Sequence, residues 1–366
     1  MRIALIAPPW LPVPPPGYGG TELVIDLLAR GLVAAGHDVT LATVGTSTCP
    51  VRRRHRYDVP QWTAAGDTTV LRELAHVTWA YGDLGAVDVV HDHTLVGPFV
   101  GALAGHRVVT TNHGPFRSSD VRQVFCSYPP EVSVVAISHD QASAHDGPIA
   151  AVIHHGVDVE SYRADARRGD YLLFLGRMHP DKGTHLAIEV ARRSGRPLRI
   201  AAKLRERQEH AYYDDVVRPL LDEDVQYVGE ADRCAKRELL AGAAALVNPI
   251  RWPEPFGLVM AEALASGTPV ITTPMGAAPE IVDDGVTGFL CDDVDEMVAA
   301  VAAVDGLDRR ACRRAAEQRF SIERMTRDHV RLYRRILATS GNGGQGPSLT
   351  TRRRAHGYHR PGGQVA

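Results

Sequence analysis

Short apolar segments alternate with helical segments along this chain, and the alternation constrains the fold more than any other feature. An apolar run over 3–7 is followed by leucines at helical spacing over 21–35 and by a second apolar run over 39–44. Thr21 is the expected N-cap of the helix and Gly36 its expected C-terminal cap. A strand, a helix and a strand joined at this length form a βαβ unit, which has parallel strands and a right-handed crossover.

The alternation runs through two successive series. In the first, more strands are predicted over 87–91, 107–112, 132–138 and 151–154. In the second, the predicted strands are 171–176, 198–202, 225–229, 244–249 and 269–273, with helices over 184–194, 206–221, 236–241 and 258–265. Two series joined near 155–170 predict an α/β protein with two doubly wound domains rather than one closed barrel. Two or three further helices are predicted between 294 and about 339.

The charge balance excludes some classes of partner. With 41 Lys+Arg against 43 Asp+Glu, the formal net charge is −2, so the chain as a whole is not predicted to bind nucleic acid. Residues 339–366 are rich in Gly, Pro, Ser and Arg without an apolar period, and are predicted to be a disordered tail. Its cluster Arg352–Arg354 is more typical of a solvated tail than of a site for anionic lipid or nucleic acid.

Cysteine usage and the N-terminal segment indicate the compartment. The five cysteines are scattered and form no Cys-x-x-Cys pair, which fits a reducing environment. The charge-free stretch 3–21 contains six prolines, so it cannot form one continuous membrane helix, and the apolar run before them is too short for a signal-peptide core. A cytoplasmic location is therefore expected, with peripheral contact to the inner membrane face left open.

Residues 17–20, Gly-Tyr-Gly-Gly, lie after a predicted strand and directly before a predicted helix. Glycines let the backbone approach a ligand closely, and the free amides at a helix start favour an anion such as a phosphate. The loop is too long for the dinucleotide fingerprint, and Glu22 stands where that fingerprint needs glycine. Taken alone, the loop fits a ligand site and a plain turn equally well.

Residues 254–262, EPFGLVMAE, contain two glutamates around a helix start. Pro255 keeps Glu254 extended, so the helix begins near Gly257 and its free amides suit a phosphate. At about 1.5 Å per residue, Glu262 lies roughly 6–7 Å along the axis, which is about a ribose away from that phosphate. Glu254 stands on the other side, where an attached sugar would lie. The alternative is a capped amphipathic helix with a solvated glutamate.

Arg177 and Lys182 follow the first strand of the second series and would project into one crevice. Together they could neutralise a diphosphate without a metal, although an ordinary surface pair has the same appearance. Lys203 follows the next strand in the same way. The two Asp-x-Asp patterns, 222–224 and 293–295, are interpreted as helix caps or solvated carboxylates, so no metal and no other cofactor are predicted.

Histidines stand at predicted strand ends in the first series. The pair His91 and His93 has no partner motif of a zinc site, so a metal is disfavoured. His113, followed by Gly114, is the better candidate for a histidine in a sugar site.

Together these segments resemble the family 4 glycosyltransferases, which are retaining enzymes with two Rossmann-like domains facing across a cleft (the GT-B architecture). The resemblance spans about residues 1–338. It rests on PPPGYGGTE, TNHGPF, LGRMHPDKGTHLAIEVAR, EPFGLVMAEALASGTPVI and GAAPEIVDDGVTGFL.

The resemblance implies a role for each matching position. Glu254 would contact donor-sugar hydroxyls, Glu262 the ribose, and Arg177 and Lys182 the diphosphate. His113 would face the transferred sugar, and His113 or Asp92 could assist the chemistry. The remaining donor-binding positions are Gly19, Gly20, Lys203, Val228, Gly229, Phe256, Gly257 and Leu258.

The resemblance also implies the domain plan. The expected boundaries are 1–163 for an acceptor-side domain, 164–321 for a nucleotide-sugar domain, and 322–338 for a helix that crosses back to the first domain. The implied activity is retaining, metal-independent transfer of a hexose from a UDP- or GDP-linked sugar to an acceptor hydroxyl.

Two alternatives share the fold: a sugar-nucleotide 2-epimerase and a non-catalytic sugar-nucleotide-binding protein. A phosphorylase is disfavoured, because no lysine stands in a pyridoxal-phosphate context. The acceptor stays open between a glycan, a glycolipid and a small natural product. Loops over 46–62 and 114–130 are expected to be irregular, and Arg52, Arg53, Arg54 and Arg56 suit either a phosphorylated or lipid-linked acceptor or plain solvent.

Overall fold

The computed structural model describes residues 1–62, 68–163 and 169–339, which form two parallel sheets with helices on their faces. The predicted tail, its arginine cluster and the predicted boundary at 163/164 lie at or beyond the edges of these ranges. The α/β class with two Rossmann-like doubly wound domains is confirmed.

The first sheet has seven parallel strands in the order β3-β2-β1-β4-β5-β6-β7. They are β1 (Arg2–Ile6), β2 (Asp38–Thr43), β3 (Arg52–His55), β4 (Val89–Asp92), β5 (Val108–Thr111), β6 (Ser133–Ala136) and β7 (Ala151–Val152). Its helices are α1 (Gly20–Ala34), α2 (Thr69–Gly82), α3 (Gly97–Leu103), α4 (Ser119–Cys126) and α5 (His139–Ser143). The order reverses at β1 and β4, and ligands of such sheets bind at that crevice, beyond the carboxyl ends of the strands.

The second sheet has six parallel strands in the order β10-β9-β8-β11-β12-β13. They are β8 (Tyr171–Arg177), β9 (Leu198–Lys203), β10 (Val225–Gly229), β11 (Ala243–Asn248), β12 (Val270–Thr272) and β13 (Gly288–Leu290). The helices are α6 (Thr184–Ser194), α7 (Arg207–Tyr212), α8 (Arg233–Gly242), α9 (Leu258–Ala265), α10 (Ala278–Ile281), α11 (Val294–Ala303), α12 (Arg309–Arg319) and α13 (Ile322–Thr339). The switch point lies between β8 and β11, whose following loops carry Lys182 and Glu254.

Helix α13 packs against α1 of the first domain. Met325, Leu332 and Tyr333 belong to the same buried cluster as the strands of the first sheet. Gly31 allows this approach, since a Cβ there would lie 2.1 Å from Thr326 Oγ1. Burying an aromatic side chain such as Tyr333, which is fully buried, contributes about 2 kcal/mol, so α13 is part of the first domain's core.

Two segments expected to be irregular are ordered. Residues 52–55 form β3, whose four side chains are all exposed; the strand forms through parallel backbone pairing with β2, which leaves no apolar alternation in the sequence. Within 114–130, α4 forms because Phe125 packs edge-on against Phe116, with ring centroids 5.1 Å apart.

Two details of the predicted helices are also wrong. Gly19, not Thr21, caps α1, and no side chain bonds to the helix start. The helix expected over 206–221 ends at Tyr212 and continues only as a π turn and a short 3-10 turn. Pro219 lies in the 3-10 turn, where its missing N–H prevents a regular helix bond to Asp215.

None of the helices in the described ranges is both long enough and apolar enough to cross a bilayer.

Candidate active site

Two helix N-termini from different domains lie side by side. Gly20 begins α1 and Leu258 begins α9, and a Cβ on Gly20 would lie 3.5 Å from Leu258 Cδ1. Gly257 caps α9 at φ 86°, a left-handed conformation that favours glycine. Gly19 is required by space, because a Cβ there would lie 2.8 Å from Pro15 Cβ. The free amides of both helices form a region that attracts an anion.

Lys182 and Glu254, predicted from separate motifs, form an ion pair in which both side chains are mostly buried. The Trp252 indole donates a hydrogen bond of 3.1 Å to Glu254 Oε2, and the Lys182 ammonium lies 5.1 Å from the Trp252 ring centre. Gly276, at φ 60°, packs directly on the Glu254 backbone. The carboxylate is thus held in one place and its charge is already compensated.

Tyr18 connects the glycine loop to the cations of the second domain. Its hydroxyl lies close to the Arg177 side chain, and its ring lies 5.7 Å from the Lys203 ammonium. Its backbone N–H donates to Glu230 Oε1 at 2.9 Å, and Glu230 in turn pairs with Arg205. Arg177 and Lys203 therefore lie beside the glycine loop, on the two sides of Tyr18, a contact that the sequence analysis did not predict.

Glu262 is buried under a cavity of about 300 Å³. One carboxylate oxygen pairs with the Lys236 ammonium at 2.5 Å, while Oε2 has no hydrogen-bond partner among the described residues. Asp26 Oδ1 and an Arg233 guanidinium nitrogen, in the wall of the same cavity, are also without partners there. Unpaired buried polar atoms are costly, so this cavity is suited to a polar ligand.

Val228 and Gly229 do not share that cavity. Val228 lines a separate space of about 310 Å³ together with Tyr171 and Arg199, and a bulge between Tyr227 and Gly229 turns the end of β10. The structure thus divides the predicted nucleoside-binding residues between two spaces, because α8 lies between them.

In the first domain, His113 is in contact with other histidines. Its Nε2 is 2.9 Å from His93 Nδ1, and its Nδ1 is 3.4 Å from His155 Nε2. The His155 ring packs on Phe256 at 5.1 Å. Burial lowers the pKa of His113 to about 3, so its imidazole is neutral.

Asp92 is not part of this group. Side chains alternate across a strand, so Asp92 points to the other face of β4 from His91 and His93. There it accepts hydrogen bonds from the Tyr81 hydroxyl at 2.9 Å and from Thr94. Burial raises its pKa to about 7. The structure gives Asp92 a role in packing the first domain rather than a contact with His113.

Glu280 joins the two domains next to the site. Its carboxylate accepts hydrogen bonds from the backbone N–H groups of His139 and Asp140 and lies 2.7 Å from His154 Nε2. These bonds keep the pKa of Glu280 below its usual value despite burial. The same segment holds the Glu254 backbone, because the Ala277 N–H, just before α10, donates to the Glu254 carbonyl at 2.9 Å.

The acidic patterns have structural roles. Asp293 caps α11, and Asp222 accepts hydrogen bonds from the backbone of residues 224 and 225. Over 1–62, 68–163 and 169–339, no group of three or more His, Cys, Asp or Glu side chains has the geometry to hold a metal ion.

Known proteins share this architecture over nearly the whole chain. Residues 18–161 match the model of Glycosyltransferase Family 4, and residues 169–304 match that of Glycosyl transferases group 1. Glycogen synthase of Mycobacterium tuberculosis is 30% identical over 382 residues, covering 88% of this chain and 90% of that protein. The crystal structure of AviGT4, a glycosyltransferase involved in avilamycin A biosynthesis, is 29% identical with a TM-score of 0.70, over 92% of this chain and 98% of that one.

A second crystal structure, Anabaena HepE in complex with UDP and glucose, is 18% identical with a TM-score of 0.71, covering 90% of this chain and 98% of that one. At that identity it supports the fold alone.

Family models match both domains of the chain, and the glycogen synthase is aligned over nine-tenths of its length. These matches identify the chain as a member of the family 4 glycosyltransferases.

Proposed function

We propose that the protein transfers a hexose from a UDP- or GDP-linked sugar to an acceptor hydroxyl, with retention of anomeric configuration and without a metal. The observation that carries this proposal is the Lys182–Glu254 pair beside two helix N-termini. HepE, which has the same fold, was crystallised with UDP and glucose.

Charge accounts for departure of the diphosphate. As the bond from the anomeric carbon to the phosphate oxygen breaks, negative charge grows on the phosphate. Arg177, Lys182 and the amides at Gly20 and Leu258 supply fixed positive potential in a partly dry site. The Tyr18 hydroxyl lies close to Arg177 in this structure, so the diphosphate of the donor would displace it.

The nucleoside would enter the cavity above Glu262. Glu262 Oε2 would accept from a ribose hydroxyl, which satisfies an atom that otherwise stays unpaired. Arg233 and Asp26 offer one donor and one acceptor to the base. The 300 Å³ cavity is large enough for part of a nucleotide.

Retention is supported by the state of Glu254. A carboxylate already paired with Lys182 and bonded to Trp252 is a poor nucleophile, so attack from the front face is favoured over a covalent intermediate. In that step the acceptor oxygen bonds to the anomeric carbon, the carbon–phosphate-oxygen bond breaks, and the acceptor proton passes to the departing phosphate. The neutral imidazole of His113 would hold a sugar hydroxyl.

We also propose a cytoplasmic protein that contacts the inner membrane face through the first domain. An apolar surface, which we call the α2 patch, consists of Val59, Trp62, Val70, Leu71 and Leu74, each more than 40% exposed. Arg54 of β3 is exposed and pairs with Asp83 at the C-terminal end of α2, so a basic side chain lies on the helix that carries the patch. Apolar side chains beside arginines suit an anionic bilayer.

One experiment separates the candidate activities. The protein is incubated with UDP-glucose and GDP-mannose, with and without a pool of cell acceptors and with EDTA, and products are identified by mass spectrometry and by NMR of the anomeric proton. Acceptor-dependent, EDTA-resistant transfer with retention is expected. Turnover without an acceptor would indicate hydrolysis or 2-epimerisation, and saturable binding without turnover would indicate a binding protein. An inverted product or loss of activity in EDTA would overturn the mechanism.

A further inference from the structure

Three histidines form a continuous chain from the interior of the first domain to the cleft. We call His93, His113 and His155 the histidine chain. His93 Nδ1 lies 2.9 Å from His113 Nε2, and His113 Nδ1 lies 3.4 Å from His155 Nε2. The His113 and His155 rings are stacked at 5.1 Å, and His155 packs edge-on against Phe256 of the second domain.

Surrounding groups hold both ends of the histidine chain in place. The His91 ring lies 4.1 Å from the His93 ring, and its two nitrogens bond to the Tyr333 hydroxyl at 2.6 Å and to Thr111 Oγ1 at 2.8 Å. His329, on α13, donates from Nδ1 to the Met325 carbonyl at 2.9 Å, because a carbonyl can only accept. The Arg324 guanidinium bonds to the His155 carbonyl.

Burial and the neighbouring rings favour neutral imidazoles throughout. Burial, and after it the adjacent histidines, lower the pKa of His93 and of His155 well below 6.5. A neutral imidazole has one N–H donor and one bare acceptor nitrogen. The hydrogen bonds of the histidine chain can therefore run in two directions. In the first, His93 Nδ1–H donates to His113 Nε2, and His113 Nδ1–H donates to His155 Nε2. In the second, His155 Nε2–H donates to His113 Nδ1, and His113 Nε2–H donates to His93 Nδ1.

One unpaired atom chooses between the two directions. His93 Nε2 is buried without a hydrogen-bond partner among the described residues. When His93 donates from Nδ1, its Nε2 is a bare acceptor. When His93 Nδ1 accepts from His113, the proton of His93 lies on Nε2, which is then a buried N–H donor without an acceptor. Orphaned buried N–H groups are the rarer of the two in proteins. The direction with the proton on His93 Nδ1 is therefore favoured.

We propose that His93 is a positioning residue, which donates from Nδ1 to His113 Nε2 and so fixes the proton of His113 on Nδ1, facing the cleft. His113 then offers an N–H donor. The contact to His155 is long, so a sugar oxygen can replace His155 as its acceptor. This inference rests on the proposed function, which supplies the sugar.

The test uses substitutions of equal size and opposite hydrogen-bonding character. In His93→Asn, the side-chain amide lies close to the position of the His93 Nδ1 atom, and its NH2 group can donate to His113. In His93→Asp the ionised carboxylate accepts only, and so forces the proton of His113 onto Nε2; its charge also raises the pKa of His113. Because burial raises the pKa of the neighbouring Asp92 to about 7, the spectra are recorded well above that pH, where the introduced carboxyl is ionised. His145→Asn, at another buried histidine of the first domain, is the matched control.

The primary readout is nitrogen NMR of protein labelled at histidine, with His113 assigned by the signal lost in His113→Asn. In the wild-type protein, and in His93→Asn and His145→Asn, we expect the proton of His113 on Nδ1. In His93→Asp we expect it on Nε2 or on both nitrogens, with kcat about 10- to 100-fold lower, a shifted pH profile, and an unchanged Kd for UDP.

Two results would overturn the proposal. One is a wild-type spectrum with the proton of His113 on Nε2; the other is a folded His93→Asp protein with unchanged tautomer and kcat. The wild-type spectrum decides the matter even if His93→Asp fails to fold. The spectrum needs no turnover, so failure of the proposed activity with all donors would be seen separately, in the transfer assay.

Discussion

The Lys182 ammonium and the Glu254 carboxylate form an ion pair that joins the turn after β8 to the segment after β11. The two residues belong to different motifs, 72 positions apart in the sequence, and their strands are neighbours at the switch point of the second sheet. The Lys182 ammonium at this position can stabilise two anions, the Glu254 carboxylate and the phosphate that departs from the donor.

Loss of either partner should stop sugar transfer while the protein stays folded. Lys182→Ala removes positive potential at the phosphate, and Glu254→Ala removes the acceptor for sugar hydroxyls. We expect kcat to fall at least about 100-fold in each variant, with a circular dichroism spectrum like that of the wild type. Glu317→Ala, which removes an exposed carboxylate on α12, should leave kcat unchanged. Near-normal transfer by either site variant would refute the assignment.

Glu262 should determine nucleotide affinity. Glu262→Ala removes the acceptor proposed for the ribose, and a hydrogen bond to a charged group contributes about 1.5–3 kcal/mol. Calorimetric titration with UDP and GDP should show a Kd raised about 10- to 100-fold. Lys236→Ala, which removes the partner of the other carboxylate oxygen, should weaken binding less. Equal affinity in Glu262→Ala and the wild type would place the nucleoside elsewhere.

The first turn of α1 should make stability depend on pH. Burial raises the pKa of Glu22 from 4.5 to about 7. Since this pKa is higher in the folded than in the unfolded protein, stability is full below pH 4.5 and is lost as pH rises toward 7. Glu22→Gln should therefore raise the free energy of unfolding at pH 8 by up to about 3 kcal/mol, and by little at pH 4.

Urea unfolding at both pH values measures this difference. Glu323→Gln is the control, because Glu323 is an exposed acid in the first turn of α13. An equal effect of Glu22→Gln at the two pH values would show that the Glu22 carboxyl does not titrate between them.

The α2 patch should bind anionic vesicles. The emission of Trp62, which is 56% exposed, should shift to the blue with phosphatidylglycerol vesicles and much less with phosphatidylcholine. Leu71→Ser with Leu74→Ser should weaken co-sedimentation at least about 10-fold, because burying a leucine contributes about 1.5–3 kcal/mol. Leu103→Ser is the control variant, since it also removes an exposed leucine: Leu103 is 88% exposed and lies outside the patch, at the end of α3. Equal loss in both variants would argue against a specific patch.

Local sequence signals predicted the elements that carry the site. Pro255 and Gly257 mark the start of α9, and its observed bounds agree with the predicted 258–265, because a helix start depends on its own few residues. β3 was missed because an exposed edge strand needs only backbone pairing. The contacts of Tyr18 with Arg177 and of His93 with His113 depend on how loops from distant parts of the chain meet, and no local pattern encodes them.

The packing of α13 on the first domain has a consequence for synthesis. Leu27, Leu28 and Leu32 of α1 leave the ribosome early, yet Met325 and Tyr333, which belong to the same cluster, follow only about three hundred residues later. During that interval a nascent first domain exposes an uncovered apolar face and a His91 side chain without its Tyr333 hydroxyl. The first domain is begun first and completed last, so chaperone binding during translation should concentrate on α1.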